Sequence, residues 1–305
     1  MASKLSHALR FLLICFLTVG QNVNGRELLK PFDPSIHKIQ LGAHRDPNKI
    51  THWAAYETEL SGLYYGSRAK INVWNLPSDI KPSHLSGSII WVVNNREITN
   101  SIETGFHVYP ELYHDNKLHF FTYWTRDDYN STGCYNLDCE GFVMVNWDIL
   151  TPGSVVNSVS IYDGQQYYIT LSIKKDAKSG DWFLYREDIG DAKLIGYWPK
   201  SLFTTLADSA NKISWGGVVI YDKNDTGPPM GSGHYASELE RKAAYFKNLE
   251  MFDHDGNSHD LLDGAQARYN DKEACYTLSE LVNSGKFGLH DGHLFYFGGP
   301  GGCYN

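Results

Sequence analysis

Apolar and aromatic residues along this chain fall into short runs with a period of two, broken by Gly, Pro, Asn or Asp. Ala69-Lys-Ile-Asn-Val-Trp74 alternates cleanly at Ala69, Ile71 and Val73, the spacing of a strand with one buried face. Trp53 to Tyr56, Leu63 to Tyr65, Lys117 to Trp124, Gly141 to Trp147, Gln166 to Ile173 and Asp181 to Tyr185 are further strand candidates. Ser88-Ile-Ile-Trp-Val-Val93 is continuously apolar. That fits a strand covered on both faces or a short buried helix, and its β-branched residues favour the strand. Asn75 to Ser86, with Pro77 and Pro82, reads as a loop. Lys200 to Ala210, just after Trp198-Pro199, predicts a short helix. Many short strands at turn-marked intervals predict an all-β chain, an antiparallel β-sandwich or barrel with few short helices.

Two stretches bear on chemistry. Ser101 to Tyr113 is a strand-like run of apolar and aromatic residues with a carboxylate, Glu103, inside it. A buried acid is costly. Either Glu103 faces solvent or a basic partner, or it lies among Ile102, Phe106 and aromatic neighbours, poised to pass a proton. A lone acid cannot both donate and accept in one step, so the second reading requires another carboxylate nearby. The second stretch, Ile213-Ser-Trp-Gly-Gly-Val-Val-Ile-Tyr221, is a strand whose pair Gly216-Gly217 lets another backbone or a substrate come close.

The opening residues 1–25 have a basic start (Lys4, Arg10), an apolar run from Phe11 to Val19 and the ending Val23-Asn-Gly25. This is the pattern of a secretory signal peptide, since the apolar run is far below the ~20 residues of a membrane span. Residues 26–50, punctuated by Pro31, Pro34 and Pro47, read as a short leader, and residues 51–305 as one domain. Without the signal the formal charge is 25 − 35 = −10, which disfavours nucleic acid and anionic membranes as partners.

Cys15 leaves with the signal, and Cys134, Cys139, Cys275 and Cys303 remain, with three connectivities open and an oxidising compartment expected. Cys134 and Cys139 alone fit half of a metal site or a small disulfide loop, and export favours the loop. Asn130-Ser-Thr and Asn224-Asp-Thr are glycosylation sequons. His-Glu-x-x-His, Gly-x-Ser-x-Gly, Gly-x-x-x-x-Gly-Lys and Cys-x-x-Cys motifs are absent from the sequence. His107, Glu111 and His114 flank Pro110, which disfavours a helical ligand face, and His290-Asp-Gly-His293 reads as a turn. No metal or cofactor is expected.

Nine motifs stand in one order: Ser-Ile-Glu-Thr-Gly-Phe, Tyr109-Pro-Glu-Leu-Tyr, Phe121-Thr-Tyr-Trp-Thr, Gly133-Cys-Tyr-Asn, Gly196-Tyr-Trp-Pro, Leu206-Ala-Asp-Ser-Ala, Ser214-Trp-Gly-Gly, Met230-Gly-Ser-Gly-His and Phe297-Gly-Gly-Pro-Gly-Gly-Cys. Together they resemble the neprosin family of plant secreted proteins, whose founding members are glutamic peptidases cutting near proline. The resemblance covers about Thr51 to Asn305. It implies an antiparallel sandwich with a cleft on one sheet and an extracellular or cell-wall location. It also implies the pairs Cys134 with Cys139 and Cys275 with Cys303.

In active relatives one glutamate activates water and the other acts as acid at the scissile amide. The first position matches Glu103; the second, after Trp-Gly-Gly, is Val218, which binds no proton. On a strand Val218 shares its face with Ser214, Gly216 and Ile220, none acidic, and Asp222 could substitute only through a bulge or register change. The sizeable activation domain usual in the family does not fit into residues 26–50. Tyr123, Trp124, Trp215, Gly216 and Gly217 are cleft candidates, although the aromatics equally suit a sandwich core. The resemblance therefore implies an acid-active endopeptidase of proline-rich protein or a catalytically impaired relative that binds peptide or cell-wall polymer. A carbohydrate-binding sandwich is a third class.

Overall fold

Alternation along the strands decides which side chains meet between two antiparallel sheets. The computed structural model describes residues 46–59 and 62–304. The expected signal and all but the end of the leader lie outside the described residues. The strands are β1 (Lys49–Thr58), β2 (Gly66–Asn72), β3 (Leu85–Asn94), β4 (Asn100–Val108), β5 (His119–Thr125), β6 (Cys134–Tyr135), β7 (Val143–Met144), β8 (Tyr168–Lys175), β9 (Trp182–Arg186), β10 (Lys193–Trp198) and β11 (Lys212–Asp222). They continue with β12 (Ala244–Phe252), β13 (Ser258–Asp260), β14 (Gln266–Asn270), β15 (Thr277–Leu278), β16 (Val282–Asn283) and β17 (His293–Gly298).

One sheet has the order β14-β1-β11-β3-β4-β5-β6. The other runs β15-β17-β12-β2-β8-β9-β10-β7, with β13 beside β12 and β16 beside β17. The chain is thus an all-β sandwich. Ile90, Val92, Ile102, Phe106, Ile213 and Val219 turn inward from the first sheet and meet Ile71, Leu171, Ile173, Phe246 and Phe295 of the second. Apolar surface of this kind stabilises a fold by about 25 cal/mol per Å² removed from water. Trp215 spans the gap, its Nε1 donating to Ser67 Oγ at 2.8 Å, so its one polar atom is satisfied in the core.

Several expected boundaries differ. The run from Ser101 ends as strand at Val108, and Pro110–Tyr113 forms a single helical turn, α1, because proline suits a helix start. The Lys200 to Ala210 helix is two 3-10 turns, Lys200–Leu202 and Thr205–Ala207. Phe203 between them is extended, and the Asn100 side chain captures Thr204 N at 2.9 Å. Leu63 to Tyr65 contributes only the bridge Tyr64 to Ala210, and Gly141 to Trp147 only the two residues of β7. Cys134 bonds Cys139 and Cys275 bonds Cys303. Among the described residues no helix is long and apolar enough to cross a membrane.

Candidate active-site cleft

The central strands β11, β3, β4 and β5 of the first sheet are buried on both faces. Its outer face carries a second apolar cluster of Leu85, Ile89, Phe121, Tyr123, Val218 and Ile220. The continuous apolar run of β3 follows: Ile90 and Val92 serve the core, Ile89 and Trp91 the outer cluster. Here a cleft crosses the strands. Register places Glu57, Ser214, Trp91, Glu103, Tyr123 and Tyr135 on successive strands along one ladder. Val218 lies on another, between Trp53 and Gly87. Gly87 presents no side chain there, and His107 and Ile89 close over it, each 3.2 Å from where a Cβ would stand.

Glu103 is 1 % exposed. Its Oε1 accepts from Tyr129 Oη at 2.7 Å and Ser101 Oγ at 3.2 Å. Burial first, and then the Glu103 charge, push the Tyr129 phenol far above its ordinary range, so it remains a donor. The same causes act in the same order on Tyr123. Tyr129 reaches inward from a turn built on Asp127, whose carboxylate accepts from the backbone N–H and hydroxyl of both Ser131 and Thr132. Burial alone raises the Asp127 pKa, but these bonds hold it well below the usual carboxylate range.

The cleft has two lobes. A cavity of about 150 Å³ contains Glu103 and Val218 in its lining, with Trp53, Trp91, Phe121 and Tyr135. Beside it a cavity of about 400 Å³ is lined by Glu57, Asn95, Thr99, Lys212, Ser214 and Tyr269. Trp53, Trp91 and Tyr129 line both. Val218 is 4 % exposed and packs in the apolar cluster. Glu57, three strand steps from Glu103, is on the order of 14 Å away at ~4.8 Å per step. Asp222 sits at the strand end, bonded to Lys49 at 2.9 Å and to Ser83, and lines neither cavity.

Of the residues singled out in the sequence, Glu103, Tyr123, Gly216 and Val218 belong to the outer face. Trp124 and Trp215 lie in the inter-sheet core, as does Gly217, where a Cβ would come within 2.5 Å of Met230 Sδ. Ile102 and Phe106 also point to the core, away from Glu103. Trp53, Trp91 and Tyr129 escaped the sequence reading. For Tyr129 a signal existed: Asp127 followed by Ser131-Thr132 is turn chemistry. His107 stacks on Phe121 with centroids 4.0 Å apart and bonds Tyr113 Oη through Nε2 at 2.8 Å. His293 bonds Asp263 at 3.0 Å. His84, Asp222 and Asp225 converge, but Lys49 and Lys81 already neutralise the two carboxylates. Asn130 and Asn224 are exposed.

The Neprosin family model matches residues 82–300. Among solved structures, the chain is similar to Scytalido-glutamic peptidase with a peptide-based transition state analog. That match has 11 % identity, 82 % of this chain and 98 % of that chain covered, and a TM-score of 0.42. It is also similar to SCP-B, a member of the Eqolisin family of peptidases, in a complex with the tripeptide Ala-Ile-His. There the identity is 12 %, the coverage 82 % and 98 %, and the TM-score 0.40. Matched over β3 to β17, with Glu103 and Val218 both inside the span, the chain belongs to the Neprosin family.

Proposed function

We propose that this chain is a secreted, peptide-binding member of the family that has lost most or all hydrolytic power. The observation that carries this reading is that Glu103 and Val218 line one cavity in which no second carboxylate stands among the described residues. The cleft keeps a buried acid held by two donors and walled by aromatic rings, which is binding equipment. At position 218 stands a side chain that can neither deliver nor accept a proton. General acid–base catalysis contributes ~10²- to 10⁴-fold, so losing one member of a carboxylate pair removes turnover while leaving the groove. Glu57 is too distant to replace it, and Asp222 is committed to Lys49 and Ser83. The signal-like opening, the two disulfides and the exposed sequons Asn130 and Asn224 support export.

The test compares purified wild type and Val218→Glu on a proline-rich peptide, from acid to neutral pH, with a wall glycan as a parallel ligand. Wild type is expected to bind the peptide without turnover, and Val218→Glu to gain ~10²-fold or more in hydrolysis. Robust acid-optimum cleavage by wild type overturns the reading, and binding of the glycan alone reassigns the cleft to a polymer.

A further inference from the structure

The small lobe around Glu103 contains a charge that the protein does not balance. Other largely buried carboxylates hold cations of their own: Glu187 has Arg68 at 2.8 Å and Lys174 at 3.2 Å, and Asp188 has Arg186 at 2.9 Å. Glu103 is more deeply buried, yet among the described residues no lysine or arginine lines its cavity, and the histidine there, His107, turns its Nε2 to Tyr113 Oη at 2.8 Å. The donors to its Oε1, Tyr129 and Ser101, are neutral hydroxyls. A buried carboxylate without a cation either takes up a proton or is completed by a charge from outside.

The walls favour the second course. Trp53, Trp91, Phe121, Tyr129 and Tyr135 line the same cavity, and aromatic faces attract ammonium and guanidinium groups. Its volume, about 150 Å³, is of the size that admits a benzene-sized group, enough for the end of a lysine or arginine side chain. Val218 leaves one anionic group in the cavity, which matches one cation. The net charge of −8 over the whole chain draws basic ligands toward it.

We propose that this lobe is a cation pocket, taking the ammonium or guanidinium of a basic side chain on a bound peptide, with Glu103 as counter-ion and the aromatic residues as walls. The proposal rests on the peptide-binding reading and adds what the peptide must carry.

Calorimetry at neutral pH with Ala-Pro-Lys-Pro-Ala and its norleucine analogue tests it, because norleucine keeps the chain length and removes the charge. Wild type is expected to bind the lysine peptide roughly tenfold or more tightly. Glu103→Gln, which still offers an oxygen to Tyr129 and Ser101, is expected to bind both peptides alike, with near-ultraviolet dichroism confirming its fold. Equal affinities in wild type overturn the cation pocket and leave peptide binding standing. If neither peptide binds, the peptide reading fails and n-butylammonium decides the pocket. Saturable quenching of tryptophan fluorescence in wild type but not in Glu103→Gln upholds it, and no quenching removes it.

Discussion

Glu57 and Glu103 stand on one ladder of the same cleft, and their surroundings differ in kind. Glu57 has Lys212 at 2.9 Å, and both side chains keep 23 % of their surface in solvent. Glu103 has phenol and serine donors, aromatic walls and almost no solvent. In the wide lobe the carboxylate has both a cation and solvent; in the small lobe it is almost fully buried, with no lysine or arginine among the described lining residues. A carboxylate that serves only structure is placed like Glu57, where water and a cation share the cost of its charge. Glu103 is held where the charge is expensive, and that expense makes it discriminating toward what enters.

The strongest way to break this contrast is to give the small lobe a cation of its own. Val218→Lys extends an ammonium into the cavity that Glu103 lines. In a double-mutant cycle with Glu103→Gln, read from urea midpoints, the coupling is expected to be about 3 kcal/mol, the scale of a buried ion pair. The built-in lysine is also expected to abolish binding of the lysine peptide. Coupling below about 0.5 kcal/mol, within the ordinary error of additivity, means that Glu103 does not act as a counter-ion in this lobe.

A smaller effect separates the donors of the two lobes. Tyr129→Phe removes the 2.7 Å hydrogen bond to Glu103 and leaves a buried acceptor short of a partner, at an expected cost of about 1.5–3 kcal/mol in urea denaturation. Tyr269→Phe in the wide lobe, where the ring is exposed, is expected to stay within about 0.5 kcal/mol. Equal costs at the two positions erase the distinction between a buried lobe and an exposed one.

How much of this is legible in the sequence depends on whether a feature is local. The sandwich, the odd carboxylate in β4 and the two-sided burial of β3 follow from periodicity and composition. Which of two adjacent aromatics faces the cleft does not. Tyr123 and Trp124 must point oppositely, but both suit either side, and only the pairing of β5 with β4 puts Tyr123 beside Glu103. Likewise Gly216 and Gly217 look alike in sequence, whereas one lies on the cleft face and the other makes room for Met230 and Phe297. Strand β12 is hidden by a bulge between Lys247 and Glu250, where Asn248 has φ of 50° and the period of two slips. The pairing of Glu57 with Lys212 is a product of tertiary register, as is the lack, among the described residues, of a lysine or arginine in the lining of the Glu103 cavity.

The smallest expected effect lies in that pair. Lys212→Met deletes the cation beside Glu57 while keeping most of the aliphatic stem. A partly exposed carboxylate regains water when its partner is removed, so the cost is expected to be only about 0–1 kcal/mol in urea denaturation. The change also leaves the wide lobe with an unbalanced carboxylate, although a hydrated one. If charge balance alone selected ligands, Lys212→Met would bind the lysine peptide in the wide lobe as tightly as wild type does in the small one, even when Glu103 is changed to Gln. Because water screens Glu57, the Lys212→Met, Glu103→Gln double variant is expected to distinguish the lysine and norleucine peptides by less than about threefold, on the scale of an exposed ion pair. Full discrimination by that double variant would show that burial and aromatic walls are dispensable, and the two lobes would differ only in which of them carries a lysine.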